Sequence, residues 1–259
     1  MASALLIVGL MNIGLYQSAA SLSALERWQE AVAQNITSAQ TTGFRKRTVE
    51  FSGENAGKWN IGASGKTGPD QEQQAVFTHT TSGINFTSGE TQPTGRDLDV
   101  AIQGGGFFQV QTPDGSKAYT RSGEFRIRAD RTLVTAGNCE VMSDGGSPIT
   151  LLPTGGTITI NPDGTMIQGN TTLGRISVQQ AANPSALVPA AGGMFVATPA
   201  AGMSPVEKPD LMQSYLEQSN VQPLREMVDL VLISRAYEAN QKVITSTDDQ
   251  MQKTLDALG

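Results

Sequence analysis

The chain has 259 residues, which is enough for one large domain or two modest ones. Its charged residues (16%) and apolar residues (38%) fall below the averages of about 25% and about 45–50% for soluble domains, while 28 glycines favour short strands joined by many turns. A net charge of −6 without a basic patch excludes the nucleic-acid-binding class, and a single cysteine excludes an internal disulfide.

The first predicted element is an N-terminal amphipathic helix. Its apolar residues recur in alternating steps of three and four, which keeps them on one face that can pack along a partner helix. We expect the helix to end at Thr41-Thr42-Gly43, because glycine suits the left-handed position that follows a helix. No basic residue precedes Arg27, so we expect no cleaved signal peptide. The seam of this helix consists of Leu15, Ser18, Leu22, Leu25, Gln29, Val32 and Ile36.

A polar, glycine-rich segment follows this helix. From about Thr48 to Ser82 it shows hardly any periodic pattern. We predict an extended or irregular connector with a strand around Ala75 to Thr80. A segment of this length is typical either of a functional loop or of a region that is disordered until it binds a partner.

A β domain is predicted from about Ile84 onward. Apolar and polar residues alternate in short runs such as Leu98 to Ile102, and turn sequences such as Pro113-Asp114-Gly115 separate the runs. Many short strands at this spacing indicate an all-β sandwich or an irregular barrel. Leu187 to Val196 is predicted to add an edge strand, and Ala197 to Pro209 forms a return connector.

A second long helix is predicted from Val221 to Leu258. Asn220 is expected to cap its start, and Pro223 suits the first turn, where an N–H is not needed. Starting at Leu230, alternating steps of four and three residues define a heptad seam. This seam consists of Leu230, Ser234, Tyr237, Gln241, Ile244, Asp248, Met251, Leu255 and Leu258.

The predicted fold is therefore mainly β with long terminal α-helices. Both termini, residues 1–45 and 210–259, form a discontinuous helical coiled-coil module; residues 46–83 form an extended connector, and residues 84–209 form the inserted all-β domain with its return connector. The two seams pack either on each other, as a helical hairpin, or against helices of other subunits. The polar residues within both seams favour the second arrangement, since they weaken a lone hairpin but can set register in an assembly.

The sequence offers no constellation typical of a catalytic, cofactor or metal site. His79 is the only histidine, and no Gly-x-Ser-x-Gly nucleophile motif is present. Cys139 has no basic neighbour and is interpreted as a half-buried or surface thiol. The Gly104-Gly105-Gly106 run precedes a strand, so we predict a tight hairpin turn and not a phosphate loop. Asp97 and Asp99 are interpreted as partners of the preceding arginine in a surface ion pair.

Several stretches resemble the flagellar axial proteins, which form the rod and hook family. The longest runs from Arg96 to Val110 and continues through Tyr119 to Phe125 and Leu133 to Gly137. Together the stretches span nearly the whole chain in the family's order. The stretches near the two ends are Gln34-Asn35-Ile36 with Thr42 to Arg45, and Ser219-Asn220-Val221 with Arg235 to Asn240.

The chain departs from the family pattern at two places. One is Thr37-Ser38, and the other is Asp130-Arg131-Thr132, where glycine is common in the family. The chain length, a connector without an obvious copy of the distal-rod extra segment, and Val243 to Asp248 resemble proximal-rod members most and distal-rod members next.

The resemblance implies a structural, motility-related protein of the bacterial flagellar basal body. It implies export by the flagellar type III apparatus without a cleaved signal peptide, and helices that pack into a tubular rod crossing the periplasm. The implied partners are other copies, other rod and hook subunits and the export apparatus, without nucleic acid, small-molecule substrate or cofactor. The residues expected to carry assembly are Leu15, Leu22, Leu25, Val32, Ile36, Leu230, Tyr237, Ile244, Met251 and Leu255.

Two other classes compete with this interpretation. An enzyme requires clustered titratable groups, and the sequence has one histidine and no such cluster. A secreted β-rich adhesin or binding protein needs no heptads at both chain ends.

Overall fold

Two long helices lie at the ends of the chain in the computed structural model, which describes residues 2–60, 72–153 and 155–256. The first helix, α1, spans Ala2–Thr37, and the last, α2, spans Pro223–Asp256. Proline at the first position of α2 fits a site where no N–H is needed. Within the described residues, no helix is both long and apolar enough to cross a membrane.

Most strands are short, as the many turn sequences predict. In chain order they are β1 Arg47–Asn60, β2 Glu72–Ile84, β3 Thr91–Pro93, β4 Val100–Gln103, β5 Phe107–Gln111, β6 Lys117–Thr120, β7 Phe125–Ile127, β8 Leu133–Thr135, β9 Glu140–Val141, β10 Ile158–Ile160, β11 Thr165–Gln168, β12 Thr171–Arg175, β13 Val178–Ala181, β14 Leu187–Pro189, β15 Met194–Ala197, β16 Met203–Pro205, β17 Asp210–Gln213 and β18 Tyr215–Glu217.

The longest strands, β1 and β2, form a two-stranded sheet of their own. The strand predicted around Ala75 to Thr80 is confirmed as part of β2, whereas β1 was not predicted. Three consecutive residues of β1, Phe51 to Gly53, are exposed. A two-stranded ribbon is held by backbone hydrogen bonds between its strands, so β1 can form without the apolar alternation that sequence would reveal.

The remaining strands form antiparallel sheets. The largest has nine strands in the order β14-β15-β6-β5-β9-β8-β7, and β13 joins it by pairing with both β5 and β16. The smaller sheets are β10-β11-β12, β17-β4 and β18-β3. The predicted strand at Leu187 to Val196 is confirmed as the β14–β15 pair, with β14 at the sheet edge. In the described part of the chain these sheets do not close into a barrel.

The apolar core joins side chains from several of these sheets. Phe108 of β5 packs edge-to-face on Phe125 of β7 with ring centroids 5.2 Å apart. On the other face of β5, Phe107 belongs to a second cluster with Tyr119 and Phe195. Because β5 is covered on both faces, its period-two pattern does not produce a solvent-facing side. The fully buried members of the main cluster include Val100, Val110, Leu133, Val141, Met166 and Ile176.

Of the two turns predicted between short strands, one is confirmed and the other is wrong. Pro113-Asp114-Gly115 lies in the hairpin between β5 and β6, where Gly115 donates its N–H to the carbonyl of Thr112. This turn is confirmed. The hairpin predicted at Gly104-Gly105-Gly106 is wrong, because β4 pairs with β17 while β5 pairs within the nine-stranded sheet. The glycine run instead connects two sheets, with φ of +92° at Gly104 and +112° at Gly106.

The chain divides into two compact units. The helical unit comprises the described residues of Met1–Gln34, Arg47–Gly83 and Pro223–Gly259, and therefore holds most of α1 with α2 and the β1–β2 pair. The β unit comprises the described residues of Asn35–Lys46 and Ile84–Gln222. Strands β17 and β18 belong to the β unit, although they follow the predicted end of the β domain.

Candidate assembly interface

The seam predicted on α1 is largely covered within the single chain. Leu25 and Val32 are 9% and 2% exposed. Gln29 is the exception, because it is exposed while the neighbouring Trp28 is half-buried. The other seam members are buried or half-buried: Leu15, Ser18, Leu22 and Ile36.

Two side chains tie α1 to the β1–β2 pair inside the helical unit. The Trp28 ring meets Phe51 of β1 edge-to-face, with centroids 5.6 Å apart. At the adjacent position, Arg27 Nη1 donates to Thr80 Oγ1 of β2 at 3.0 Å. The segment predicted as a connector is therefore part of the support for the helix.

The covered stripe of α2 has a different phase from the predicted seam. Ile233 is fully buried, whereas its neighbour Ser234 is exposed. The same one-residue shift recurs further along the helix, where the half-buried positions are Asn240 and Thr247. The predicted positions that are exposed are Ser234, Gln241 and Asp248. Those that lie on the covered stripe are Leu230, Tyr237, Ile244 and Met251, all half-buried.

Two members of the predicted seam are not part of this comparison. Leu258 and the side chain of Leu255 lie outside the part of the chain that the structure describes.

On the side opposite the covered stripe, α2 exposes large apolar side chains. Leu224, Val228 and Val231 are 81%, 59% and 52% exposed and follow one another in steps of four and three. Met227 and Leu232 flank them at 49% and 50% exposure. We call residues 224–232 on this side the outer face of α2. A helix that is apolar on opposite sides is typical of one buried on both, so this face is a candidate assembly surface.

A buried ionic cluster lies in the β unit. Oε1 of Glu217 is 2.7 Å from Nη1 of Arg45, and Oε2 is 2.8 Å from Nε of Arg121; all three side chains are 2% exposed. The Gly89 N–H also donates to Oε1 at 2.9 Å. The guanidinium N–H bonds do not point along the two short contacts, so the attraction is mainly ionic. We call Arg45, Arg121 and Glu217 the ionic clasp.

Arg121 also forms hydrogen bonds with the backbone of the Gly104-Gly105-Gly106 run. Its Nη2 and Nη1 groups donate to the carbonyl oxygens of Gly104 and Gly106, each at 2.7 Å. Burial lowers the pKa of Arg121, Glu217 raises it, and the like charge of Arg45 lowers it further.

Gly43 allows two segments of the β unit to approach closely. Its φ is +69°, and a Cβ at this position would lie 2.4 Å from the backbone of Arg121 and of Ser122. Thr42 Oγ1 and Ser122 Oγ are 2.7 Å apart beside it. The predicted left-handed conformation is confirmed, but α1 already ends at Thr37. The glycine therefore serves the close approach and not the helix end.

Asn220 does not cap α2, which begins only at Pro223. Its Oδ1 accepts the Lys46 N–H at 2.7 Å, while its Nδ2 donates to the carbonyls of Asn85 and Thr87 at 2.9 and 2.8 Å. The cap prediction is wrong, because these distant backbone groups satisfy the amide. The side chain joins three segments of the β unit.

The surface ion pair predicted around Asp97 and Asp99 is also wrong in part. Asp97 is exposed, but the Asp99 side chain is fully buried. Its Oδ1 lies 2.9 Å from Nη2 of Arg96, whose side chain is 53% exposed. The positive charge of a half-exposed arginine thus compensates the charge of a buried carboxylate.

The isolated reactive side chains do not form a catalytic group. His79 is exposed on β2, as predicted. Cys139 is 2% exposed, so the prediction of a half-buried or surface thiol is wrong. Burial raises the pKa of its thiol and disfavours the reactive thiolate. Among the described residues, no three His, Cys, Asp or Glu side chains are grouped to hold a metal.

Comparisons with known proteins agree with this arrangement. Residues 101–168 match the flagellar hook protein FlgE/F/G D1 domain, and residues 212–257 match the C-terminal region of flagellar basal body rod FlgEFG proteins. The flagellar basal-body rod protein FlgF of Caulobacter vibrioides is 33% identical over 96% of this chain and 99% of its own length. FlgG of Agrobacterium fabrum is 35% identical over 90% of this chain and 94% of its own.

The chain belongs to the flagellar basal-body rod protein family. It is a structural subunit of the flagellar basal-body rod, a motility protein and not an enzyme. The first matched range of the family covers β4 to β11 in the β unit, and the second runs from β17 through α2.

The rod-family stretches meet in space through a residue that sequence reasoning missed. Arg45 and Arg121 lie in two of these stretches, and both contact Glu217, which lies just before a third. In the sequence Glu217 is one carboxylate in a short strand with no local sign of burial. Only the pairing of β18 with β3 brings it to both arginines.

Proposed function

We propose that this rod protein self-assembles through its terminal helices, with other copies and with other rod and hook subunits, into a tubular shaft that transmits torque. The observation that carries the proposal is the outer face of α2, whose Leu224, Val228 and Val231 are more than half exposed. Burying such side chains stabilises an assembly by roughly 25 cal/mol per Å² of apolar surface. The 34 residues of α2 span about 51 Å, a length suited to a stiff repeated contact.

The predicted seam residues remain part of this proposal. Leu230, Tyr237, Ile244 and Met251 keep partial exposure in the single chain, so helices of other copies can complete their burial. Leu25 and Val32 are already covered, and they hold the helical unit in shape for that contact. A coiled-coil arrangement of the terminal helices, with a heterologous contact that repeats without closing, would generate a helical filament.

The chain is proposed to act as a proximal rod subunit of the FlgF type. Relatives named FlgF align over 96% of this chain and 99% of their own length, whereas those named FlgG align over 90–93% and 94–97%. A distal, FlgG-type subunit is the alternative. Restored motility in a strain lacking its proximal rod gene, and not in one lacking its distal rod gene, would support the first assignment.

Export through the flagellar type III apparatus and passage of the rod across the periplasm complete the proposal. Secretion of the intact, uncleaved chain that depends on the export apparatus would support this route. Secretion by a strain without that apparatus would contradict it.

Assembly is tested by placing a charge on the outer face. Val231→Asp should leave the monomer folded, since the side chain is 52% exposed, and should abolish filament formation, because a carboxylate would be buried in each contact. Thr245→Asp, at an exposed polar position of the same helix outside both the outer face and the predicted seam, is the matched control. Sedimentation measures assembly, and circular dichroism verifies the fold. A Val231→Asp protein that assembles like the control would overturn the proposal.

A further inference from the structure

The ionic clasp contains more positive than negative charge. Arg45 and Arg121 share Glu217, and among the described residues no other acidic side chain forms an ion pair with either arginine. Arg121 uses its remaining donors on backbone carbonyls, while Nε of Arg45 has no hydrogen-bond acceptor in the described part of the chain. A buried group of net charge +1 with an unused donor is stabilised by a further anion.

A cavity of about 370 Å³ adjoins the clasp, and both arginines line it. Its wall combines polar groups with aromatic rings, which matches a ligand that has one charged end and an apolar remainder. The lining residues that matter here are Arg45, Arg121, Ser88, Gln180, Phe86 and Phe107. All of them belong to the β unit.

We propose that this cavity binds one carboxylate group, which accepts from the Nε–H of Arg45 while the charge of Arg121 adds to the attraction. A guanidinium N–H donates well to a carboxylate, and the ion pairs with Glu217 already show the attraction of both arginines for a carboxylate charge. The apolar part of the wall favours a carboxylate carried on a short hydrocarbon stem over a compact inorganic anion. The source is either an acidic side chain of another copy or a small organic acid in solution.

Acetate titration of the full-length monomer tests the site directly. In protein labelled with ¹⁵N-arginine, the Nε–H resonance of Arg45 should shift saturably with sodium acetate. Sodium chloride at equal ionic strength should not reproduce the shift. Loss of that resonance in Arg45→Lys assigns it. An Arg45 resonance that does not move, or that moves equally with chloride, would overturn the proposal.

A substitution that leaves the clasp untouched provides a second test. Gln180 is an exposed residue of β13 that lines the cavity, so Gln180→Glu should place a carboxylate at the site. It should raise the melting temperature of the β unit by about 2–4 °C and remove the acetate response. Gln92→Glu, at an exposed glutamine of β3 that does not line this cavity, should do neither. Identical behaviour of the two variants would contradict the proposal.

The assembly of Gln180→Glu separates the two sources, and this arm alone rests on the proposed function. If an acidic side chain of another copy fills the cavity, the built-in carboxylate should slow filament formation relative to Gln92→Glu. If a small organic acid fills it, both variants should assemble equally while the acetate response is still lost. The acetate titration uses the monomer, so it can succeed even if the rod proposal fails.

Discussion

At the scale of single residues, Glu217 joins remote segments of the β unit. Its carboxylate joins Arg45 from the segment after α1 to Arg121 from the segment after β6. Neither arginine has another ion-pair partner in the described residues. Loss of this one charge would leave two guanidinium groups buried and uncompensated.

We therefore expect Glu217→Gln to lower the free energy of unfolding by about 3–5 kcal/mol, as for a broken buried ion pair. Glu140→Gln is a suitable control, because Glu140 pairs with Arg128 at a site where both side chains are about a third exposed. Glu140→Gln should lower the free energy of unfolding by about 1 kcal/mol or less. Urea unfolding followed by circular dichroism measures both. Equal costs for the two variants would show that the clasp contributes little.

Arg131 offers a substitution that should stabilise the protein. It adopts φ of +67° in the turn before β8. The left-handed conformation costs a non-glycine residue about 1–2 kcal/mol, and glycine's greater unfolded-state entropy offsets part of the gain. Arg131→Gly should therefore raise the free energy of unfolding by about 0.5–1 kcal/mol.

The control at this turn is Arg131→Val, because a β-branched residue tolerates positive φ poorly. It should be less stable than the wild type in the same urea titration. A valine variant as stable as the glycine variant would mean that the turn relaxes away from the left-handed conformation.

At the scale of elements, α2 shows that a predicted heptad seam and the stripe covered in the single chain can differ in phase. From Leu230, steps of four then three and steps of three then four both meet Tyr237, Ile244 and Met251, and they differ by one residue at the positions between these. The stripe that is covered passes through the fully buried Ile233 and not through Ser234. Periodicity identifies a helix, but it cannot decide between two series that share the same apolar residues and differ by one residue between them.

Ile244 lies on the half-buried stripe of α2, so a charge there should act on assembly. Ile244→Asp is expected to abolish rod formation. The β unit should stay folded, because Ile244 belongs to the helical unit. Thr245→Asp, at an exposed neighbouring position outside the predicted seam, should assemble normally. Electron microscopy of basal bodies and swimming assays measure the outcome. A motile Ile244→Asp strain with intact rods would contradict the expectation.

At the scale of the whole molecule, the β unit includes chain segments that lie before and after the predicted β domain of residues 84–209. Its last strands, β17 and β18, pair with β4 and β3 and bury Leu211 and Leu216 at 2% and 6% exposure. A boundary placed at residue 209 would remove both strands together with Glu217.

A fragment of residues 35–222 should therefore fold cooperatively, whereas residues 35–209 should not. The shorter fragment loses two strands, two buried leucines and the carboxylate that compensates the clasp arginines. Thermal unfolding and the dispersion of amide resonances distinguish a folded fragment from a collapsed one. A cooperative melt of the 35–209 fragment would show that β17 and β18 are dispensable.

The sequence by itself determined the two terminal helices, the short-stranded character of the region between them and the turn at Pro113-Asp114-Gly115. It also determined the family, through stretches near both ends and in the middle. These features are local, because periodicity, turn chemistry and motifs are properties of neighbouring residues. The left-handed Gly43 was likewise predictable, although the reason for it was not.

Only the tertiary structure decided which distant groups meet. It placed Glu217 between two arginines, gave the Asn220 amide three backbone partners in two other segments, and paired the polar β1 with β2. It also selected which apolar stripe of α2 is covered. These outcomes depend on strand pairing between remote parts of the chain, where the partner of a buried charge or amide leaves no mark on its sequence neighbours.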